Sequence, residues 1–212
     1  MKKIIAINAS PRRGWNTFEL VRSAADGAES AGAEIRFIDL YKLDKFTGCV
    51  SCFGCKSNAN LGKCIYADAL APILEEIRSA DGLIIGPPNY LGEASAAFRA
   101  LYERLIFQYL SYKTEPRNYN ERHIPVLFIM TSNVPEERYA AAGYDHIVEK
   151  YKNMLSRIIG PTQVLICGDT LQVKDYSPYD WTMFDPDAKL ERHEKEFPLK
   201  KQEAFRLGAE MI

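Results

Sequence analysis

Short apolar runs alternate along this chain with longer stretches in which apolar positions recur every three or four residues. Lys3-Ile4-Ile5-Ala6-Ile7, Gly82-Leu83-Ile84-Ile85-Gly86, Ile124 to Met130 and Gln163 to Cys167 have the length and the aliphatic content of buried parallel strands. Glu34 to Asp39 alternates polar and apolar residues, as a strand with one covered face does at the edge of a sheet. Helical spacing marks Leu20, Ala24, Ala28 and Ala31, then Leu70, Ile73, Leu74 and Ile77, then Phe98, Leu101, Leu105 and Tyr109. It returns in Tyr144, Ile147, Val148, Tyr151, Leu155 and Ile158, and in Ala204, Leu207, Gly208 and Met211 beyond Pro198. Asn16 with Glu19 three residues on has the form of a capping box, Gly32 stops that helix, and Asp68 is placed to cap the next. The strict alternation predicts an α/β fold: a five-stranded parallel sheet of order 2-1-3-4-5 with helices on both faces and a ligand crevice beyond the carboxyl ends of its strands.

Composition narrows the class. The 212 residues suffice for one domain, 1–212, with an irregular cysteine-rich loop at 44–66, a polar surface loop at 114–122 and a charged helical tail at 185–212. With 27 basic against 28 acidic residues, the net charge of -1 gives no electrostatic basis for binding nucleic acid or an anionic membrane. No apolar run is long enough to span a bilayer, and a cytoplasmic location is expected.

The loop after the first strand carries the clearest chemistry. Asn8 to Thr17 joins a central strand to a helix, where unpaired backbone N–H groups and the positive helix end favour an anion. Ser10, Asn16 and Thr17 add hydrogen bonds, and Arg12 or Arg13 adds a guanidinium fork suited to phosphate. Neither the nucleoside-triphosphate loop nor the dinucleotide glycine fingerprint is present, which leaves a mononucleotide. Trp15 either covers such a ligand or caps the core, and Tyr90 either packs at a strand end or touches the ligand. Arg99 and Arg104 are expected in solvent or at an interface, and the aromatic segment from Leu101 to Tyr112 in the core.

Four of the five cysteines fall in the irregular loop, as Cys49, Cys52 and Cys55 spaced by two residues and Cys64 after eight more. Thiolates so close in sequence suit a four-iron cluster, a structural zinc or a redox disulfide, or remain free; a tight triplet with a distant fourth favours the cluster over zinc. Cys167, at a strand end, is expected to be an inert buried thiol. His123, His146 and His193 lack ligand spacing.

Taken together, Ser10-Pro11-Arg12 with Asn16 and Thr17, the cysteine run with Asp68 after it, and Ala80-Asp81-Gly82 leading to Gly86, Pro88 and Tyr90 resemble the flavodoxin-like NAD(P)H-dependent FMN reductases, including their iron-sulfur flavoprotein branch. The resemblance continues through Asp175-Tyr176-Ser177-Pro178-Tyr179 to the charged final helix. It implies a flavodoxin-like three-layer sandwich with FMN phosphate on Ser10, Arg12, Asn16 and Thr17. The isoalloxazine would lie against Pro88, Asn89, Tyr90 and Leu91, with Thr131, Ser132 and Asn133 on its other side. Cys49, Cys52, Cys55 and Cys64 are the candidate ligands of a 4Fe-4S cluster. The chain departs from the family pattern at Pro87, usually serine, and at Ser132-Asn133-Val134, often glycine-rich.

The activity so implied is oxidation of NAD(P)H through FMN, with a small-molecule or protein electron acceptor. No catalytic side chain is required, because the flavin carries the redox chemistry. Two other functions are compatible with the same residues: an iron-sulfur flavoprotein that relays electrons between protein partners, and a flavin-binding redox sensor without turnover. A homodimer or higher homo-oligomer is also implied by the family.

Overall fold

The computed structural model describes residues 1–212. Its sheet contains β1 (Lys3–Asn8), β2 (Glu34–Asp39), β3 (Gly82–Gly86), β6 (Val126–Thr131) and β7 (Thr162–Cys167), all parallel, in the order β2-β1-β3-β6-β7. Counting these five strands alone gives the 2-1-3-4-5 order expected from the sequence. The central strands β1, β3 and β6 are buried almost throughout, whereas β2 and β7 alternate between covered and partly exposed residues as edge strands do.

Successive side chains of a strand point to opposite faces, and each face builds its own core. Ile4, Ala6, Ile84, Leu127 and Ile129 meet Leu20, Val21, Ala24 and Ala28 of α1 (Asn16–Ser30) and Ala204 and Leu207 of α7 (Phe197–Ala209). Ile5, Ile7, Leu83, Ile85 and Phe128 meet the helices α2 (Ala71–Ser79), α3 (Ala96–Tyr109) and α5 (Tyr144–Ile158) on the other face. The result is the expected three-layer, flavodoxin-like arrangement. No helix is long and apolar enough to cross a membrane.

Several local readings change. Trp15, not Asn16, is the N-cap of α1, and Asn16 begins the helix. Asp68 does not cap α2 directly: it opens a turn, its Oδ1 accepting from Leu70 N at 3.0 Å, and the helix starts at Ala71. The tail holds two helices: α6 (Pro186–Lys195), capped by Asp185, and then α7. Two elements had no signal in the pattern because they are too short to show a period: the hairpin of β4 (Asn89–Tyr90) and β5 (Glu93–Ala94), and the single turn α4 (Tyr139–Ala142).

Helices α1 and α7 touch backbone to backbone. A Cβ on Gly27 would lie 1.9 Å from the carbonyl oxygen of Phe205, and one on Gly208 would lie 1.9 Å from that of Ala24. Both contacts are with main chain, which cannot rotate aside, so Gly208→Ala must push the helices apart. The expected loss of stability is roughly 1–3 kcal/mol, read as a lower urea midpoint; an unchanged midpoint would contradict this packing.

Candidate functional site

The loops after β1, β3, β6 and β7 meet at the carboxyl edge of the sheet and enclose an open cleft, the place where ligands bind in open parallel sheets. Ser10, Arg12, Asn16, Thr17, Pro88, Asn89, Tyr90, Thr131, Ser132 and Asn133 all line it. Leu91 does not: it sits at the tip of the β4–β5 hairpin, fully exposed, with Leu91 and Gly92 both at positive φ (54° and 76°).

One end of the cleft is built for an anion. Asn8 Oδ1 accepts from Ser10 N at 3.1 Å and Ser10 Oγ accepts from Arg12 N at 3.1 Å, which turns the loop sharply toward α1. Trp15 offers no capping side chain, so the amides of the first helical turn keep their donors for a ligand. The guanidinium of Arg12 lies 4.1 Å above the Trp15 ring, within cation–π range. Arg13 instead pairs with Asp39 at 3.4 Å, leaving Arg12 as the arginine of the cleft. Asn16 donates to Leu171 O at 2.9 Å, while its own Oδ1 is buried without a partner.

The other end is lined by Asn89 and Tyr90 on one side and by Ser132 and Asn133 on the other. Asn89 Oδ1 accepts from Gly92 N at 3.1 Å across the hairpin, and its Nδ2 is buried without an acceptor. Tyr90 is partly exposed, and burial of its hydroxyl raises its pKa above the usual tyrosine value. Opposite, Ser132 Oγ bonds Val134 O and Tyr139 OH, both at 2.8 Å, and burial pushes Tyr139 up to about 12. Asn133 Oδ1 accepts from Lys189 Nζ at 2.8 Å and from Gln172. The hairpin is anchored through Glu93, which accepts from the Tyr151 hydroxyl, from Lys150 Nζ at 2.9 Å and from Arg99 at 3.2 Å. Burial acts to raise the pKa of this carboxyl, but the bonds from Tyr151, the Ala94 backbone N–H and Lys150 outweigh it and hold it below the ordinary range.

These features fit a mononucleotide carrying a planar ring system: uncapped amides and a guanidinium for phosphate, and an unpaired amide donor beside an aromatic residue for the ring. Thr170, Leu171 and Gln172 also line the cleft. Sequence reasoning missed them, although their position just past the fifth strand of the sheet was the available signal.

A second, small pocket collects Cys49, Cys52, Cys55 and Cys64 against Val50, Phe53, Ile65 and Phe107. All five cysteines of the chain are free thiols. No three His, Cys, Asp or Glu side chains are placed to hold a single metal ion. Ser51 and Phe53 have positive φ (55° and 56°), which folds the triplet tightly around the pocket. The loop is fastened to the end of α3, where Lys56 Nζ donates to the carbonyls of Phe107, Gln108 and Leu110. Burial raises the Cys55 thiol, with the neighbouring Lys56 opposing it. Cys167 is remote from this pocket, and burial pushes it up to about 12, as befits an inert thiol.

Arg104 is neither solvated nor at a surface. Its side chain is 1% exposed and pairs with Asp68 at 2.6 Å, with Tyr66 O accepting from its Nη2 at 2.7 Å. Burial alone would weaken its charge, but the bond to Asp68 and the neighbouring Cys64 sulfur more than offset it, and its pKa rises. Arg99 is half-buried, between Glu93 and Glu103. The signal for Arg104 was its place one turn before Gln108, alongside the apolar stripe of α3.

An iron-sulfur flavoprotein of Methanocaldococcus jannaschii is 38% identical over 102 residues, 48% of this chain and 51% of that protein. One of Methanosarcina thermophila is 30% identical over 104 residues, 49% of this chain and 52% of that protein. The chain thus aligns with about half the length of these curated relatives. In fold it is similar to an NAD(P)H:quinone oxidoreductase from Methanothermobacter marburgensis, with TM-score 0.72 and 14% identity over 100% of this chain and 99% of the other. An azoreductase from Bacillus anthracis superposes with TM-score 0.70 and 13% identity over 99% and 100%. The model of the NADPH-dependent FMN reductase family matches residues 2–164, which include the cysteine pocket and all of the cleft lining except Thr170, Leu171 and Gln172, and the chain belongs to that family.

Proposed function

We propose that this protein is an FMN-dependent oxidoreductase that accepts hydride from NAD(P)H and passes electrons to a second acceptor, such as a quinone, a free flavin, a nitro or azo compound, or a redox protein. The observation that carries this reading is the cleft, with uncapped helix amides at one end and an unpaired Asn89 amide at the other. Ser10, Arg12, Asn16 and Thr17 would hold the phosphate of FMN. Pro88, Asn89 and Tyr90 would flank its ring on one side, with Leu91 at the rim, and Thr131, Ser132 and Asn133 on the other.

FMN, when bound, supplies hydride acceptance and electron release. The protein's part is placement and electrostatics. Arg12 and the first turn of α1 neutralise phosphate charge. Pro87 has no N–H to offer, so donation along the ring edge falls to the Asn89 side chain. Glu93, held by Arg99, Lys150 and Tyr151, keeps the hairpin that carries Asn89 and Tyr90 in place. In this reading a second copy of the chain covers the open face of the cleft, giving a homodimer.

The cysteine pocket favours a second reading, in which a 4Fe-4S cluster on Cys49, Cys52, Cys55 and Cys64 makes the protein an electron carrier between protein partners. The curated relatives aligned over half their length are named iron-sulfur flavoproteins, which supports it. Four thiols around one apolar pocket supply the donor set such a cluster needs.

Turnover separates the two readings. Steady-state NAD(P)H oxidation with a quinone acceptor is expected from the reductase, whereas a carrier stays near background until a partner reductase is added. Arg12→Ala should weaken FMN binding about tenfold, because the half-exposed contact is worth the lower end of the roughly 1.5–3 kcal/mol of a hydrogen bond to a charged group. An unchanged dissociation constant would remove Arg12 from the phosphate site. Cys52→Ser should strip iron from anaerobically purified protein and leave its flavin content intact; loss of FMN instead would place the loop in the flavin site.

A further inference from the structure

The floor of the cysteine pocket contains two buried side-chain donors with nothing to bond. Arg104 and Gln108 lie one turn apart on α3, their residues each 1% exposed, and both line the pocket. Arg104 Nε and Gln108 Nε2 have no hydrogen-bond partner. A buried N–H left unpaired costs about 1–3 kcal/mol, more when charged, so a pair of them in one cavity marks a place where an acceptor belongs.

The orientation of both groups is fixed by the bonds they do make. Gln108 Oε1 accepts from Cys64 N at 3.1 Å, and since a backbone N–H can only donate, the amide is held with Nε2 on the opposite branch. Arg104 spends Nη1 on both Asp68 oxygens at 2.6 Å and Nη2 on Tyr66 O at 2.7 Å. Asp68 is itself held by Thr47 N at 3.1 Å and Leu70 N at 3.0 Å, so the guanidinium cannot swing away. The atoms left without a partner are Arg104 Nε and the Gln108 Nε2 amide nitrogen. The other walls of the pocket are apolar, apart from the four thiols.

We propose that Arg104 Nε and Gln108 Nε2 form a donor shelf for anionic sulfur in this pocket, bonding the cysteine thiolates and the sulfides of a 4Fe-4S cluster and stabilising its more reduced, more negative state. This rests on the cluster reading above. It adds two residues outside the cysteine loop that bind the group and set its potential, since hydrogen bonds to cluster sulfurs raise the reduction potential.

Two substitutions test it. Gln108→Glu keeps the acceptor for Cys64 N, removes the donor and adds a like charge. Arg104→Lys keeps the charge beside Asp68 and removes Nε. Wild type and both variants are reconstituted with ferrous iron and sulfide without oxygen, with circular dichroism as the check on folding. Iron and acid-labile sulfide are then counted, and the cluster potential is read by spectroelectrochemical titration. The expected result is four iron and four sulfide in wild type, with reduced retention or a lower potential in each variant. Equal content and equal potential in all three proteins would overturn the shelf and leave the cluster reading standing. Wild type that takes up no iron and sulfide would overturn both. Should one variant fail to fold, the other carries the comparison.

Discussion

The site depends on how closely α1 lies against the ends of β3 and β6. Gly86, the last residue of β3, permits this approach: a Cβ there would sit 2.4 Å from Val21 Cγ2 and 3.2 Å from Thr17 Cγ2. With the helix that close, Thr17 Oγ1 reaches Thr131 Oγ1 at 2.7 Å and joins the first turn of α1 to the end of β6. The electropositive helix start is thereby fixed over the crevice between β1 and β3, where the order of strands reverses. Asn8 supports it from below, bonding Ser10 O at 3.2 Å and Asp39 Oδ1 at 3.3 Å. The anion end of the cleft follows from backbone placement first and from side chains second.

Helix α3 gives the molecule its second organising element. Its start holds both ends of the cleft, the anion loop through Ser95 Oγ donating to Ala9 O at 2.6 Å and the hairpin through Arg99 pairing with Glu93 at 3.2 Å. Its later turns hold the cysteine loop, through Glu103 accepting from Cys49 N at 3.3 Å and Gln108 accepting from Cys64 N at 3.1 Å. One rigid helix therefore sets the positions of both candidate redox pockets. The charged residues of α3 serve these contacts, while Phe98, Leu101 and Leu105 keep it on the sheet.

Much of this was legible in the sequence because it follows from periodicity. The buried strands and amphipathic helices, the sheet order, and the placement of Ser10, Arg12, Asn16, Thr17 and Thr131 at one edge all follow from β–α alternation. What was hidden depends on contacts between distant segments. Asn16 has the chemistry of a cap, yet its side chain turns to Leu171, 155 residues away in sequence. Arg104 looks like a solvated helix charge until the fold brings Asp68 and the cysteine loop over it. Leu91 sits beside Tyr90 in sequence, but the tight hairpin turns it out into solvent.

The central claim is that the cleft recognises a flavin by its phosphate. Titration of the flavin-free protein with FMN and with riboflavin, followed by quenching of flavin fluorescence, tests it most directly. One FMN per chain is expected, with binding of riboflavin weaker by at least about tenfold, the equivalent of one charged hydrogen bond. Equal affinity for the two, or no binding of either, would contradict it.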